Sequence, residues 1–166
     1  MTAARQKRKQ YWAWIPAAVG VALALPVAGP ASIAATTELI VVDWHTGLAI
    51  GGYDPVAFYT DGKPMVGSAD FEFRYGGAIW RFCNVGNRDA FAARPDIYMP
   101  QFGGYDPTAV ARGVAVSGNP NVWLISDQHL FLFYDHAGLE KFAADTGRLI
   151  AEAERKWPAV VRTLSP

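Results

Sequence analysis

The sequence predicts a small single domain of the α+β class, made of two units of a β-hairpin and a short helix and completed by a C-terminal helix. Three observations lead to this prediction. The chain has 166 residues, enough for one core, and 51% of them are hydrophobic and 13% aromatic. The pentapeptide Gly-Gly-Tyr-Asp-Pro occurs twice, at 51–55 and at 103–107. An alternating apolar segment and then a helix-forming segment follow each copy.

A second match in nearly the same register supports this duplication. Phe82 precedes Phe91 by the interval that also separates Phe133 from Phe142, and Ala-Ala follows the second Phe in both places. Internal similarity at a fixed offset is typical of a duplicated structural unit. We therefore predict two copies of a capped turn, a hairpin and a short helix. The alternative is a chance recurrence of common turn residues.

The first 35 residues have the three zones of a secretory signal. Four basic residues lie within 5–9, the stretch 14–28 is uncharged and apolar, and 32–34 offers small residues at the spacing of a cleavage site. The apolar stretch is short for a membrane span of ~20 residues, and prolines interrupt it. We predict a signal peptide over 1–35 and a periplasmic or secreted protein. A retained N-terminal anchor is the alternative.

The charge distribution excludes two classes of partner. The formal net charge is 0, but four of the 15 basic residues and none of the 15 acidic ones precede Ala35, which leaves 11 basic against 15 acidic residues in the rest of the chain. A mildly acidic domain lacks the basic surface that binds nucleic acid or anionic membranes. We predict no nucleic-acid partner, and membrane contact only through an uncleaved N-terminal segment.

The first unit follows a lead-in at residues 36–46. The lead-in contains a β-prone run at 39–42, which is expected to form an edge strand. Asp54 then stands directly before Pro55. Aspartate is a favoured helix cap, and proline fits the first helical turn, where its missing N–H is not needed. This pair predicts a capped turn or short helix.

A hairpin and a helix are expected next. Apolar and charged residues alternate over 70–75, a glycine pair stands at 76–77, and an apolar run occupies 79–82. This pattern is typical of two strands joined by a tight turn. The segment 87–93 is predicted to be helical, with Phe91 facing the core.

The second unit repeats this order. Residues 106–113 predict a capped helix that ends at a glycine, and the runs 122–125 and 130–133 predict a second hairpin. The apolar spacing over 138–157 predicts the C-terminal helix, with a break at Gly147.

A likeness to a known family is carried by the stretches 51–59, 61–64, Gly67, 80–82, 87–91, Pro95, Tyr98, Pro100 and 102–105. From Gly47 onward the residues resemble the exported YHS-domain family of proteobacteria. The likeness covers roughly 47–158, and residues 159–166 follow as a C-terminal tail. The resemblance implies a small α+β domain that is often associated with metals or metal-containing proteins. Many relatives carry Cys after the second Gly-Gly-Tyr, where this chain has Asp106, so a thiolate ligand does not transfer to that position.

The two Gly-Gly-Tyr-Asp-Pro segments supply the candidate ligand pocket. Asp54 and Asp106 are interpreted first as helix caps, because each directly precedes a proline. If the two segments pack side by side, the carboxylates could converge on one pocket lined by Tyr53 and Tyr105. A pair of carboxylates can also serve acid–base chemistry or bind a hard cation.

A soft-metal site is the second candidate. Cys83, Met65, Met99 and a histidine such as His129 would suit a transition metal such as copper in its Cu(I) state. The alternative is a structural thiol at Cys83, with methionines that fill gaps in the core. The single cysteine and the unpaired histidines match no zinc motif.

No catalytic constellation is visible in the sequence, so we predict a non-catalytic binding module, with metal or metallocofactor handling as the favoured role. Its partner would be a metal ligand or an unidentified protein. One alternative is a structural or protein-interaction domain that docks through Trp44, Trp123 and Tyr134. The other is an enzyme that uses the Asp54 and Asp106 turns.

Overall fold

The computed structural model describes residues 39–164, and in this part of the chain two copies of one unit follow each other. Each copy contains a short helix, an antiparallel two-stranded sheet and a longer helix, which confirms the predicted α+β fold. In chain order the elements are α1 Ala57–Thr60, β1 Ser68–Tyr75, β2 Ala78–Phe82, α2 Val85–Ala93, α3 Pro95–Tyr98, α4 Pro107–Val110, β3 Asn119–Ser126, β4 His129–Phe133, α5 His136–Ala144 and α6 Thr146–Leu164.

The duplication extends to the register of the hairpins. In the first sheet Ser68 pairs with Phe82, and the pairing is irregular between Ser68 and Glu72. In the second sheet Asn119 pairs with Phe133, and the same irregularity follows. A β-bulge is a specific local feature of a strand. Its presence at equivalent places confirms that the two sequence units fold alike.

The predicted signal peptide over 1–35 lies outside the described residues, as does the beginning of the lead-in. Within 39–164, no helix combines the length and the hydropathy that crossing a membrane would require.

The prediction of an edge strand at 39–42 is wrong. Val42 forms only an isolated bridge with Ala49. The backbone N–H of Val41 donates to the carbonyl of Gly103 (2.8 Å), and the carbonyl of Val41 accepts from the N–H of Ile50 (2.9 Å). The lead-in therefore joins the two glycine-rich segments to each other, because its backbone groups are used between them rather than along a sheet.

The second hairpin separates two hydrophobic clusters. Strand β4 alternates its side chains between them: Leu130 and Leu132 belong to the first cluster, whereas Phe131 and Phe133 belong to the second. Successive residues of a strand point to opposite faces, so both faces of this hairpin are covered. The first hairpin buries one face only, with Trp80 at its centre.

The C-terminal helix is longer than the sequence predicted. The break falls at Asp145, which ends α5, rather than at Gly147, and α6 continues through Pro158 to Leu164. Most of the predicted tail at 159–166 is therefore helical. Val160 is buried in the second cluster, and this packing holds the helix together beyond a proline that removes one backbone donor.

Substitution of Gly103 tests whether the contact with the lead-in stabilises the fold. Its φ is +64°, and a Cβ at this position would overlap the backbone carbonyl of Leu39. Gly62 has a φ of +63° with open space around it. We expect Gly62→Ala to cost about 1 kcal/mol of unfolding free energy, from backbone strain alone. Gly103→Ala should cost more than about 3 kcal/mol, because the lead-in must also move. Urea denaturation measures both, and equal losses would contradict the assigned contact.

Candidate functional site

Each unit begins with a corner of left-handed backbone. Three consecutive residues have positive φ at Ile50–Gly52, and the same holds for 102–104. Glycine tolerates this conformation, whereas a β-branched residue such as Ile50 is strained in it. Each corner turns the chain so that the following Tyr-Asp-Pro places its aspartate in the protein interior.

The Asp54 carboxylate ties the first corner to the end of the first hairpin. The residue is fully buried. Oδ1 accepts hydrogen bonds from the N–H groups of Val56 (2.8 Å) and Ala57 (3.3 Å), at the start of α1. Oδ2 accepts from the N–H of Cys83 (2.8 Å) and from the side-chain amide of Asn87 (2.7 Å). A buried carboxylate is stable only with such partners, and Asp54 has donors on both oxygens.

Asp106 has a similar arrangement, in which the Thr108 hydroxyl replaces the Asn87 amide as the side-chain donor. Only 3% of the surface of Asp106 is exposed to solvent. Oδ1 accepts from the N–H groups of Thr108 (2.7 Å) and Ala109 (3.3 Å) and also from the Thr108 hydroxyl (2.7 Å). Oδ2 accepts from the N–H of Tyr134 (2.9 Å) at the end of β4. The threonine hydroxyl thus supplies a side-chain donor to Asp106, as the Asn87 amide does to Asp54, but on the other oxygen.

Asp106 therefore caps α4, as its position before proline predicted, whereas Asp54 accepts from the turn that leads into α1, whose N-cap residue is Val56. The two corners are adjacent, since a Cβ on Gly104 would lie 3.1 Å from the side chain of Ile50. Each carboxylate nevertheless binds the hairpin end and helix start of its own unit. Their hydrogen bonds hold backbone in place, and this use of the lone pairs gives no support to a shared acid–base pair.

The two tyrosines point to different neighbours. The hydroxyl of Tyr53 accepts a hydrogen bond from the side-chain amide of Asn121 in β3 (3.2 Å). Tyr105 is buried, and its ring packs 6.0 Å from that of Trp157 in α6. The structure thus places Tyr53 against the second hairpin and Tyr105 in the second hydrophobic cluster.

The four candidate metal ligands do not converge on one place, although Met65 and Cys83 both lie beside Asp54. Met99 lines a groove together with Tyr75, at the turn of the first hairpin, whereas Cys83 follows the far end of β2. Strand β2 separates these two places by about 13 Å, because a strand rises by roughly 3.3 Å per residue. His129 lines another cavity, beside Asp127. The Met65 backbone carbonyl accepts from the N–H of Asp54.

The described residues give no support to a metal centre. Within 39–164, no group of three or more His, Cys, Asp and Glu side chains is arranged to hold a metal ion. Burial, followed by the nearby negative charge of Asp54, raises the pKa of the Cys83 thiol to about 11. Thiolate is the form that binds soft metals and acts as a nucleophile. Cys83 is therefore protonated at neutral pH, and its thiol contacts the carbonyl of Val66 at 3.7 Å.

A groove of about 560 Å³ opens between the first hairpin turn, the second corner and α6. Its walls are mostly apolar and aromatic, with Tyr75, Met99, Phe102 and Trp157 among them. The rings of Phe102 and Trp157 meet edge to face at 5.6 Å. Of the residues that line it, Asp96 carries the one charge, and the Arg94 guanidinium pairs with that carboxylate at 3.0 Å.

The exposed aromatic residues divide into two kinds. Trp44 is 81% exposed and Tyr134 63% exposed. Trp123 instead packs against the first hydrophobic cluster, with its ring 5.2 Å from that of Phe58. Trp44 and Tyr134 therefore remain available for contact with a partner, whereas Trp123 is half-buried against the first cluster.

Sequence reasoning missed two features of the site. Asn87 appeared only as the start of a helix, although it donates to a buried carboxylate distant in sequence. The groove was missed because it joins Tyr75, Phe102 and Trp157 from three separate segments. Comparison of the two repeats could have drawn attention to Asn87, because the equivalent residue in the second unit, Gly138, has no side chain.

Comparison with protein-family models, curated proteins and solved structures finds no match to this chain.

The hydrogen bond from Asn87 to Asp54 predicts a stability effect. Asn87→Ala should lower the free energy of unfolding by about 1.5–3 kcal/mol, because it removes a donor from a buried carboxylate. Asn121→Ala removes an exposed amide bonded to the Tyr53 hydroxyl and should cost less than about 0.5 kcal/mol. Chemical denaturation of both variants gives the comparison. A loss at Asn87 no greater than that at Asn121 would show that the Asp54 carboxylate does not need this amide.

The raised pKa of Cys83 predicts slow alkylation in the folded protein. With a pKa of about 11, the thiolate fraction should rise with pH throughout the range from 7 to 9.5. The rate with iodoacetamide should then increase roughly tenfold per pH unit in that range without a plateau. The same chain in urea provides the control, and its rate should level off above an ordinary thiol pKa of about 8.5. A plateau near pH 8 in the folded protein would contradict this assignment.

Proposed function

We propose that this protein is an exported, non-catalytic binding module of the YHS type, and that its ligand site is the groove lined by Tyr75, Met99, Phe102 and Trp157. The observation that carries the proposal is the groove itself. Small-molecule sites typically have volumes of roughly 300–1,000 Å³ and mostly hydrophobic and aromatic walls. The groove has a volume of about 560 Å³ and walls of this kind.

The charges of the groove indicate the class of ligand. Its one charged lining residue, Asp96, is already paired with Arg94, so the walls offer no uncompensated charge to an ionic ligand. Aromatic rings favour flat apolar molecules that stack or meet them edge to face. We therefore propose a neutral ligand with a planar apolar body, which Gln101 at the rim can orient by a hydrogen bond.

Export is supported by the basic start, apolar stretch and small-residue site of residues 1–35. The YHS-type assignment is supported by the resemblance of the glycine-rich corners and aromatic hairpins to that family. Metal handling gains no support from the described part of the chain, because the Cys83 thiol is protonated at neutral pH and Met99 and His129 line separate cavities.

A protein-interaction role is favoured by one specific observation. Trp44 is 81% exposed, and Asp43 fixes the turn that carries it by accepting hydrogen bonds from the backbone of His45 and Thr46. A rigid exposed tryptophan is typical of an interface anchor. This second role would be supported by a protein that co-purifies with the native chain and with the Tyr75→Ala variant but not with the Trp44→Ala variant.

Nile red, a neutral planar dye, tests the groove directly. We expect saturable binding, seen as a rise in dye fluorescence, which Tyr75→Ala weakens by about fivefold through the loss of roughly 1 kcal/mol of apolar contact. Trp44→Ala removes a larger exposed ring outside the groove and should leave the affinity unchanged.

Two results would contradict the proposal. One is the absence of saturable dye binding, and the other is an affinity that Trp44→Ala lowers more than Tyr75→Ala does. The intact mass of the same preparation tests export, because cleavage after Ala34 removes a defined segment. Unprocessed chain in the cytoplasmic fraction would contradict that part.

A further inference from the structure

A second cavity, of about 400 Å³, opens beside the Asp106 carboxylate. It lies between α4, the end of β4 and the first turn of α5, away from the aromatic residues of the groove. Asp106 is nearly completely buried in the fold and still contributes to the cavity wall. A buried carboxylate that faces a cavity can bind a hydrogen-bond donor there strongly.

The first unit shows which group belongs at this carboxylate. Asn84 caps α2 by accepting from the N–H of Asn87 (2.9 Å), and Asp135 caps α5 by accepting from the N–H of Gly138 (2.8 Å). Asn87 and Gly138 therefore hold equivalent positions. Asn87 places an amide nitrogen 2.7 Å from Oδ2 of Asp54, whereas Gly138 has no side chain to offer.

The two oxygens of Asp106 differ in their number of donors. Oδ1 accepts three hydrogen bonds, whereas Oδ2 accepts one, from the N–H of Tyr134, and Gly138 lies so close that a Cβ there would be 3.0 Å from Oδ2. The Thr108 hydroxyl donates to the other oxygen, Oδ1. A carboxylate oxygen has two lone pairs, so Oδ2 can accept a second hydrogen bond from a molecule in the cavity.

The rest of the cavity wall carries opposite charges in separate places. Lys141 and Arg112 contribute positive groups, and Asp135 a second carboxylate. The Arg112 guanidinium donates to the carbonyl of Thr108 (2.9 Å), which holds it at the wall. The exposed ring of Tyr134 borders the same space. A ligand with an N–H donor and a carboxylate can satisfy both charge types.

We propose that this cavity binds a small zwitterion of the amino-acid class. Its ammonium group donates to Oδ2 of Asp106 from the cavity side, and its carboxylate faces Lys141 and Arg112. Ammonium and carboxylate groups both make charge-assisted hydrogen bonds, which are stronger than neutral ones. The site is separate from the groove, so binding at either one can be tested alone.

Glycine is the probe, and backbone amide signals of the ¹⁵N-labelled full chain provide the readout. At constant ionic strength, glycine up to about 100 mM should shift the Tyr134 and Gly138 signals along a saturating curve. The Cys83 amide, which donates to Asp54, is the internal control and should not move. N-acetylglycine lacks the ammonium group and should give no saturating shift.

Gly138→Asn adds a side chain directly against Oδ2 of Asp106 and should weaken glycine binding by at least about tenfold. Gly147→Asn, at a helical glycine with open surroundings, is the matched control and should bind normally. Should Gly138→Asn fail to fold, Lys141→Met provides the second test, with an expected loss of about threefold to tenfold from an exposed side chain. The proposal is overturned if glycine gives no saturating shift, or if each variant that folds binds it as the native chain does.

Discussion

Two buried carboxylates organise the fold. Asp54 and Asp106 each accept hydrogen bonds from the first turn of a short helix and from the backbone at the end of a hairpin. A charge without water is costly unless several donors surround it, so each aspartate fixes the relative positions of those segments. The left-handed glycine-rich corner before each aspartate brings it inside. Corner, helix and hairpin thus form one structural unit.

The two units have the same backbone plan but different surroundings. The second hairpin lies between both hydrophobic clusters, whereas the first covers one of them from outside. Around the carboxylates the difference is chemical: the Asn87 amide donates to Asp54, whereas Gly138 has no side chain and a cavity lies beside Asp106. The two equivalent positions therefore differ in their hydrogen-bond donors and in the space beside them.

The candidate site was predictable only in part. Proline after Asp106 identified it as a helix cap, and proline after Asp54 identified a residue that binds the backbone before the next helix, because both roles depend on local backbone geometry. Their separate hydrogen-bond networks were not predictable, since the donors come from residues distant in sequence, such as Asn87 and Tyr134. The sequence suggested soft ligands by residue type at Cys83 and Met99. Placement and burial decide whether such residues can bind a metal, and neither follows from type alone.

The sequence by itself determined the elements and their duplication. Alternating apolar residues, glycine pairs and Asp-Pro caps act over a few neighbouring positions, so both hairpins and the helix that carries Phe91 were predicted closely. Tertiary structure alone decided three further features: the lead-in joins the two corners, α6 continues past Pro158, and the groove forms between distant segments. The physical reason is that long-range burial and backbone pairing outweigh local preference where a segment gains its contacts from remote parts of the chain.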